Sequence, residues 1–398
     1  MQADVTIIGA GLAGCSIAWH LRKTHKVVVI DQAETPGSEA SSQNAGMLRR
    51  LGEDPYERRL AQRTHLFLEH PHPDWEGLTV SRKSGALMLL AQDPHHLEDA
   101  LSHLRALKVS VQEHRKPGEI APYLQKQAFV RAYFLPEEHS CDPKALLLGF
   151  VRGAKAQGVD FKLKTQASSL VWDNDQVIGV NTSRGRIYSD KVVLAAGAWS
   201  SQIAADSNVI RPLTPLRRAV FRLRNNKSQP LDSPWVWVDD VGIYAKPTAD
   251  GFLISPCDEH IDPPLPGHSS WGRAIPSQHD LLHDKLQRYF PGLLTHKIEE
   301  DWTGLRTFAP DRRPILGPDK EANGLLWAAG LGGFGLSCCV GIGEAIAAWI
   351  RDAPTEWLDP RMVSPNRGLS TKWLTRPDGH IHRGQLVSTT TGFPPAQT

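Results

Sequence analysis

One stretch near the start limits what this chain can fold into: Val5-Thr6-Ile7-Ile8, then Gly9-Ala10-Gly11-Leu12-Ala13-Gly14, then Val27-Val28-Val29-Ile30-Asp31. An apolar, β-branched run leads into G-x-G-x-x-G. Ser16 to Lys23 reads as a helix packing through Ile17, Ala18 and Leu21, and a second β-branched run ends in an acid. Strand, glycine turn and helix in that order make a dinucleotide site: Gly9 permits the tight turn, Gly11 admits a pyrophosphate to the backbone, and Gly14 lets helix and strand pack closely. The helix start adds N–H groups without intrahelical partners and a partial positive charge. Asp31, with Gln32 beside it, is placed to accept from a ribose 2′-hydroxyl, and its charge disfavours a 2′-phosphate. The loop by itself leaves NAD and FAD open.

Composition narrows the classes. The 45 basic and 43 acidic residues give a net charge of +2, which offers no reason for a nucleic-acid partner. Five irregularly spaced cysteines point to a reducing compartment rather than a disulfide framework. The first strand begins within five residues of Met1, which leaves no secretory leader before it, so a cytoplasmic protein is expected. The most apolar stretch, 325–350, is interrupted by glycines and Glu344 and is too polar for a membrane span; peripheral contact with a membrane stays open.

Along the chain, residues 32–51 are small and hydroxylated, as suits a segment wrapped around a ligand. Pro55 to His70 reads as a helix whose Arg58, Arg59 and Arg63 form a solvated face. His95 and His96 are adjacent and point to different faces, a poor metal pair. Asp142 and Pro143 start a helix that stops at Gly158. Strands are expected at 159–165, 177–182 and 191–195, the last ending in Ala195-Ala196-Gly197-Ala198-Trp199. Short strands at 221–223, 235–238, 242–246 and 251–255, separated by Pro, Asp and Gly, predict a second, antiparallel sheet. A helix over 281–290 follows, and then a buried strand, Leu325 to Ala329, which enters Gly330-Leu331-Gly332-Gly333-Phe334-Gly335 and a second helix. The expected fold class is α/β: a discontinuous Rossmann-like domain (1–78, 141–212 and 301–355) and an antiparallel-sheet α+β substrate domain (79–140 and 213–300). The segment 356–398 closes the chain, its tail from Ser364 reading as extended or disordered.

The second glycine turn delivers another helix start, which could face the pyrimidine edge of a flavin and stabilise negative charge there. Arg306, in an apolar and aromatic setting, is either a structural ion pair or a bidentate fork for a carboxylate. Tyr244 is either a core tyrosine or a hydroxyl donor.

With these segments in order, the chain resembles the FAD-dependent D-amino-acid oxidase family, which includes glycine oxidase, sarcosine oxidase and D-amino-acid dehydrogenases. The resemblance covers Met1 to about Arg351 and rests on the first glycine loop, Ser41-Ser42-Gln43-Asn44-Ala45-Gly46, Ala195 to Trp199, Trp302-Thr303-Gly304-Leu305-Arg306 and Gly330 to Gly335. Arg211 to Arg218 and Tyr244-Ala245-Lys246-Pro247 look nearest to bacterial D-arginine dehydrogenases. It implies FAD on Gly9, Ala10, Gly11, Leu12, Ala13, Gly14, Asp31 and Gln32. Ser41, Ser42, Asn44, Ala45, Gly46 and Met47 would line pyrophosphate and ring, and the backbone of Ala167 would meet the adenine. Ala196, Gly197, Trp199, Arg306, Gly330, Gly332, Gly333, Gly335, Leu336 and Ser337 would complete the cofactor site. Arg306 and Tyr244 would hold the substrate carboxylate and a carbonyl near Gly333 its amine, with Arg218 a further member of the catalytic group. The implied reaction oxidises the Cα–N bond of a small D-amino acid, glycine or N-alkyl glycine by hydride transfer to the flavin, giving an imine and then a 2-oxo acid, with O2 or a quinone or other carrier as acceptor. A 2-hydroxy-acid or polyol-phosphate dehydrogenase, or a flavin-binding subunit of a larger enzyme, are the alternatives.

The departures shape the expectation further. The histidine, tyrosine and acid that suit a cationic substrate in D-arginine dehydrogenases have no match at Met47–Gly52 and Gly85-Ala86, and Arg49 or Arg50 favours an anionic or polar one. The oxygen-activating lysine of sarcosine oxidases has no match in 251–255, which leans toward a dehydrogenase. No cysteine lies between Cys257 and Cys338, so FAD is expected to be held non-covalently.

Overall fold

The computed structural model describes residues 2–52, 54–125, 127–224 and 232–369. Its first sheet is built around Gln2–Ile8, which lies parallel to Val27–Ile30 on one side and to Gly185–Leu194 on the other. Asp160–Lys162 and Leu325–Ala329 extend the parallel core outward on either side, and Ile315–Pro318 adds an antiparallel edge. Every residue of Val27–Ile30 and Leu325–Ala329 is buried. That is the signature of parallel strands covered on both faces, and it explains their unbroken apolar sequence. The helices Leu12–Leu21 and Gly335–Ile350 cover one face and pack against each other. They approach so closely that a Cβ on Gly343 would stand 2.2 Å from Ser16 Oγ. Gly185–Leu194 is one long strand whose first half also pairs antiparallel with Gln176–Thr182, which pairs in turn with Ala167–Asp173 through the turn at Asn174 (φ 53°).

The second sheet runs Lys297–Phe308, Thr214–Arg224, Gly251–Ser255, Ile243–Thr248, Trp235–Val238, Ala86–Leu90 and Arg131–Leu135. Neighbours are antiparallel, apart from Trp235–Val238 with Ala86–Leu90. Helix Pro276–Tyr289 covers one face through Leu282 and Leu286; the other face carries Met88, Trp237 and Tyr244. A small sheet of Met47–Leu48, His139–Cys141 and Ser81–Lys83 stands apart from both.

Three expectations need correction. The boundary at 300/301 falls inside Lys297–Phe308, which pairs along nearly its whole length with Thr214–Arg224; the second sheet therefore keeps Arg306. Arg58 departs from the expected solvated face: it is buried and donates to Gly52 O, whereas Arg59 is exposed and donates to Trp357 O, and the half-exposed Arg63 pairs with Glu344 on the last helix at 2.6 Å. The tail's first residues are packed, with Arg367 making a two-point pair with Asp311 (2.7 and 2.9 Å) and Asn366 tied to Pro318 O and Lys320 N. Beyond residue 369 the tail lies outside the described residues.

Candidate functional site

The glycine loop takes the conformation its residues require. Gly9 has φ 109°, and a Cβ there would lie 2.4 Å from Ala195 O; one on Gly14 would lie 1.9 Å from Gly9 O. Helix Leu12–Leu21 begins from Gly11, and Leu12 N donates to Ser41 Oγ at 2.9 Å, which binds the 32–51 segment to the helix start. Asp31 accepts from Ala10 N (2.7 Å) and Ala33 N (2.8 Å). Burial raises its pKa, against the pull of those two bonds.

One cavity joins these groups to the far end of the chain. Gly9, Gly11, Leu12, Ala13, Asp31, Gln32, Ser41 and Asn44 lie on its wall. So do Ala167, Ala196, Gly197, Trp199, Gly330, Gly332, Gly333, Gly335 and Leu336, together with Arg218 and Arg306. Gly332 N donates to Thr307 O, which pins the second glycine turn to the strand that carries Arg306. Two helix starts thus open on one cavity, with Asp31 near one and two arginines near the other. That arrangement suits a dinucleotide flavin: phosphates at the first helix start, a ribose at Asp31 and an electron-rich ring edge at the second.

Other residues expected at the cofactor stand behind this wall. Ala10 and Gly14 shape the loop through the Asp31 bond and the contact with Gly9 O. Ser42 donates to Gly37 O and faces a separate surface cleft. Ala45 is buried, Gly46 (φ 68°) packs against Cys141 O, and Met47 pairs with Ser140. Ser337 Oγ accepts from Arg49 N. Each supports the segment that meets the cavity. The wall also holds Gln43, Thr165, Gln166, Gln202 and Asp206, which the sequence did not single out. Gln43 was legible in part, since it interrupts a run of small residues; its carbonyl accepts from Trp302 Nε1 (3.0 Å). Gln202 and Asp206 carry no local signal.

The arginine end of the cavity is assembled by strand register. Leu216 opposes Arg306 and Arg218 opposes Gly304, so the two arginines are diagonal neighbours on adjacent strands, both on the cavity wall. Arg218 donates to Asp258 O (3.1 Å) and to Glu259 (2.9 Å), and Glu259 is also held by Arg312 (2.6 Å). Burial would raise the Glu259 pKa, but the Arg312 hydrogen bonds and the charges of Arg218 and Arg312 bring it down to about 2. Arg306 has no such partner: its Nη1 is buried without an acceptor among the described residues. Burial, and then the charge of Arg218, lowers its pKa to about 10. Tyr244 is 1% exposed and lies off the cavity wall, stacked on Trp237 (centroids 4.9 Å). Its hydroxyl has no well-formed hydrogen bond, and Ser255 across the strand pair is its polar neighbour.

The two arginines at 49 and 50 separate. Arg50 is structural, held by buried Glu138 (2.9 Å) and by Glu137. Arg49 lies between the rings of Trp237 (3.9 Å) and Phe334 (4.0 Å), next to Gly333. A lysine missing from Gly251–Ser255 is present one strand over: Lys246 pairs with Leu253, and its amine lies 2.9 Å from where a Cβ on Gly46 would sit. Burial lowers its pKa. The empty position in 251–255 therefore says little about the electron acceptor. No described helix is long and apolar enough to cross a membrane.

Comparison with known proteins agrees with this geometry. Glycine oxidase of Bacillus licheniformis is 26% identical over 378 residues, covering 89% of this chain and 95% of that protein. Dimethylglycine dehydrogenase of Rattus norvegicus is 23% identical over 399 residues, covering 94% of this chain, which spans only 45% of that longer protein. The crystal structure of L-proline dehydrogenase from P. horikoshii superposes with a TM-score of 0.82 at 22% identity, covering 92% of this chain and 97% of that one, a likeness of fold. The family model described as FAD dependent oxidoreductase matches residues 4–349, a span that holds both glycine turns, Asp31 and Arg306. A cavity with two helix starts, reached by both ends of one matched span, thus has its explanation in the family: the chain is a member of the FAD-dependent oxidoreductases.

Proposed function

We propose that the protein oxidises the Cα–N bond of a small amino acid, a D-amino acid, glycine or an N-alkyl glycine, to an imine that water converts to a 2-oxo acid. The observation that carries this reading is Arg306: a guanidinium with a buried nitrogen and no acceptor, on the wall of the cofactor cavity. An uncompensated buried cation is costly, and a substrate carboxylate supplies the missing acceptors. FAD held against the two helix starts would supply the acceptor for the hydride from the substrate's Cα. Arg306 holds the carboxylate as a fork and Arg218 adds charge from the neighbouring strand. Gly333, beside Arg306, brings a backbone carbonyl to the amine. These contacts orient the Cα–H, and the gain is one of position. No side-chain base is required, since an amine bound in its neutral form supplies the lone pair that forms the C=N bond.

Glycine oxidase and dimethylglycine dehydrogenase, by their names, act on amines of this kind, which supports the reading. The test is the visible spectrum of the purified protein under anaerobic titration with glycine, sarcosine and D-amino acids. Bleaching of flavin bands is expected; bands that stay unchanged with every amine would overturn the reading in favour of a hydroxy-acid substrate. Readmitting air then separates O2 from a quinone-type carrier as the acceptor.

A further inference from the structure

Glu259 is fixed from both sides along the chain. Asp258 before it is 1% exposed and accepts from Ala219 N (3.0 Å) and from Gln278, and His260 after it pairs with Arg217. The carboxylate therefore stands beside Arg218, the residue between those two anchors. Arg218 donates from Nε to Asp258 O (3.1 Å) and from Nη2 to Glu259 Oε1 (2.9 Å). Those two nitrogens form an edge with which a guanidinium grips a carboxylate at two points. Glu259 also accepts two bonds from Arg312 (2.6 and 3.1 Å), which lies over the Phe308 ring and off the cavity wall. Arg306, the other arginine on the wall, keeps its Nη1 without an acceptor among the described residues.

The two wall arginines are thus unequal. As diagonal neighbours on adjacent strands they are close enough for one ligand with two carboxylates to reach both. One has its gripping edge filled by the protein itself, and the other does not. The pair of Arg218 and Glu259 is nearly buried, with side chains 12% and 8% exposed. A ligand carboxylate that displaced Glu259 would leave that acid desolvated and short of a partner, so the exchange is unfavourable. We infer that Glu259 is a specificity-determining residue: by occupying Arg218 it stops a second acidic group from seating beside the first, and the site takes substrates with a single carboxylate. Arg218 contributes its charge without serving as a second fork. This rests on the carboxylate role proposed for Arg306 and narrows the substrate to amino monocarboxylic acids.

The test titrates acetate against malonate, and propionate against succinate, into the oxidised holoenzyme by calorimetry. In the unmodified protein each dicarboxylate should bind no more than about three-fold tighter than its monocarboxylate. Glu259→Gln, which keeps the side chain's shape and removes its charge, should raise that preference to at least about ten-fold, the value of one hydrogen bond to a charged acceptor. Adding Arg218→Met to that variant should return the ratio to the unmodified value, since the gain runs through this guanidinium. A ten-fold dicarboxylate preference in the unmodified protein, a ratio that Glu259→Gln leaves unchanged, or a gain that survives Arg218→Met would each overturn the inference. A merely structural Glu259 would weaken all four ligands alike and leave the ratios in place. If the variant does not retain FAD, anaerobic flavin reduction in the unmodified protein decides: D-alanine reducing faster than D-aspartate supports the inference, and the reverse order refutes it. Carboxylates that do not bind at all would remove Arg306 from its role and this inference with it. Carboxylates that bind as expected while no amino acid reduces the flavin would defeat the oxidation reading alone.

Discussion

The nucleotide end and the substrate end of the cavity are built on opposite principles. At the nucleotide end Asp31, Ser41 and Asn44 are satisfied within the fold: Asp31 by the N–H groups of Ala10 and Ala33, Ser41 by Leu12 N, and Asn44 by Ser41 O and Gly46 N. At the substrate end Arg306 Nη1 is buried with no acceptor among the described residues, and the Tyr244 hydroxyl has no well-formed hydrogen bond there. A region satisfied in this way keeps its shape without a ligand, whereas desolvated donors give up stability that a ligand restores on binding. The first region is a preformed cradle; the second, on the function proposed here, keeps its donors for an anion.

The largest expected effect falls on the cradle. Gly14→Val places side-chain atoms against Gly9 O, where even a Cβ would be 1.9 Å away, between a helix and a strand that cannot separate cheaply. Loss of soluble, flavin-retaining protein is expected; a yellow and stable variant would show that the cradle is not the rigid half of the pair. Next comes Arg306→Ala, which should raise KM by about 100-fold while flavin absorbance is retained, since breaking a charge-assisted pair costs about 2–5 kcal/mol. A KM within about three-fold of the parent protein would remove Arg306 from the carboxylate role. The smallest effect concerns Glu259, whose folded pKa of about 2 lies below its ordinary 4.5. A depressed carboxyl stabilises the fold above its unfolded pKa, and that contribution fades as pH falls from about 4.5 toward about 2. Thermal melts in that window should show a decline that Glu259→Gln flattens. An identical slope in the variant would mean that other carboxyls carry the acid sensitivity.

The degree to which each region was legible in the sequence follows the same division. Gly9, Gly11, Leu12, Ala13, Asp31, Gln32 and Ser41 were readable and reach the cavity wall, because a strand–turn–helix motif defines its geometry within a few residues. Ser42, Ala45, Gly46 and Met47 were assigned to the ligand by their place in the same segment, yet they support it from behind. Small residues serve close packing and ligand approach equally well, and composition does not separate the two. Arg50 and Arg49 are adjacent and alike in sequence, but one meets buried Glu138 and the other two aromatic rings. Arg58 looked solvated because nothing nearby in sequence reveals the carbonyl of Gly52 folded back onto its helix.

By itself the sequence determined the parts whose causes are local: the dinucleotide loop, the β-branched strands buried on both faces, the helix capped at Asp142, and the second glycine turn with its helix. The tertiary structure alone decided what those parts enclose. Only register brings Arg306 diagonal to Arg218, and only the pairing of Trp235–Val238 with Ile243–Thr248 stacks Trp237 on Tyr244. Phe334 and Arg49 arrive there from segments nearly three hundred residues apart, through packing that no short window of sequence contains. Side-chain periodicity says which face of an element is apolar; it does not say which element that face will meet.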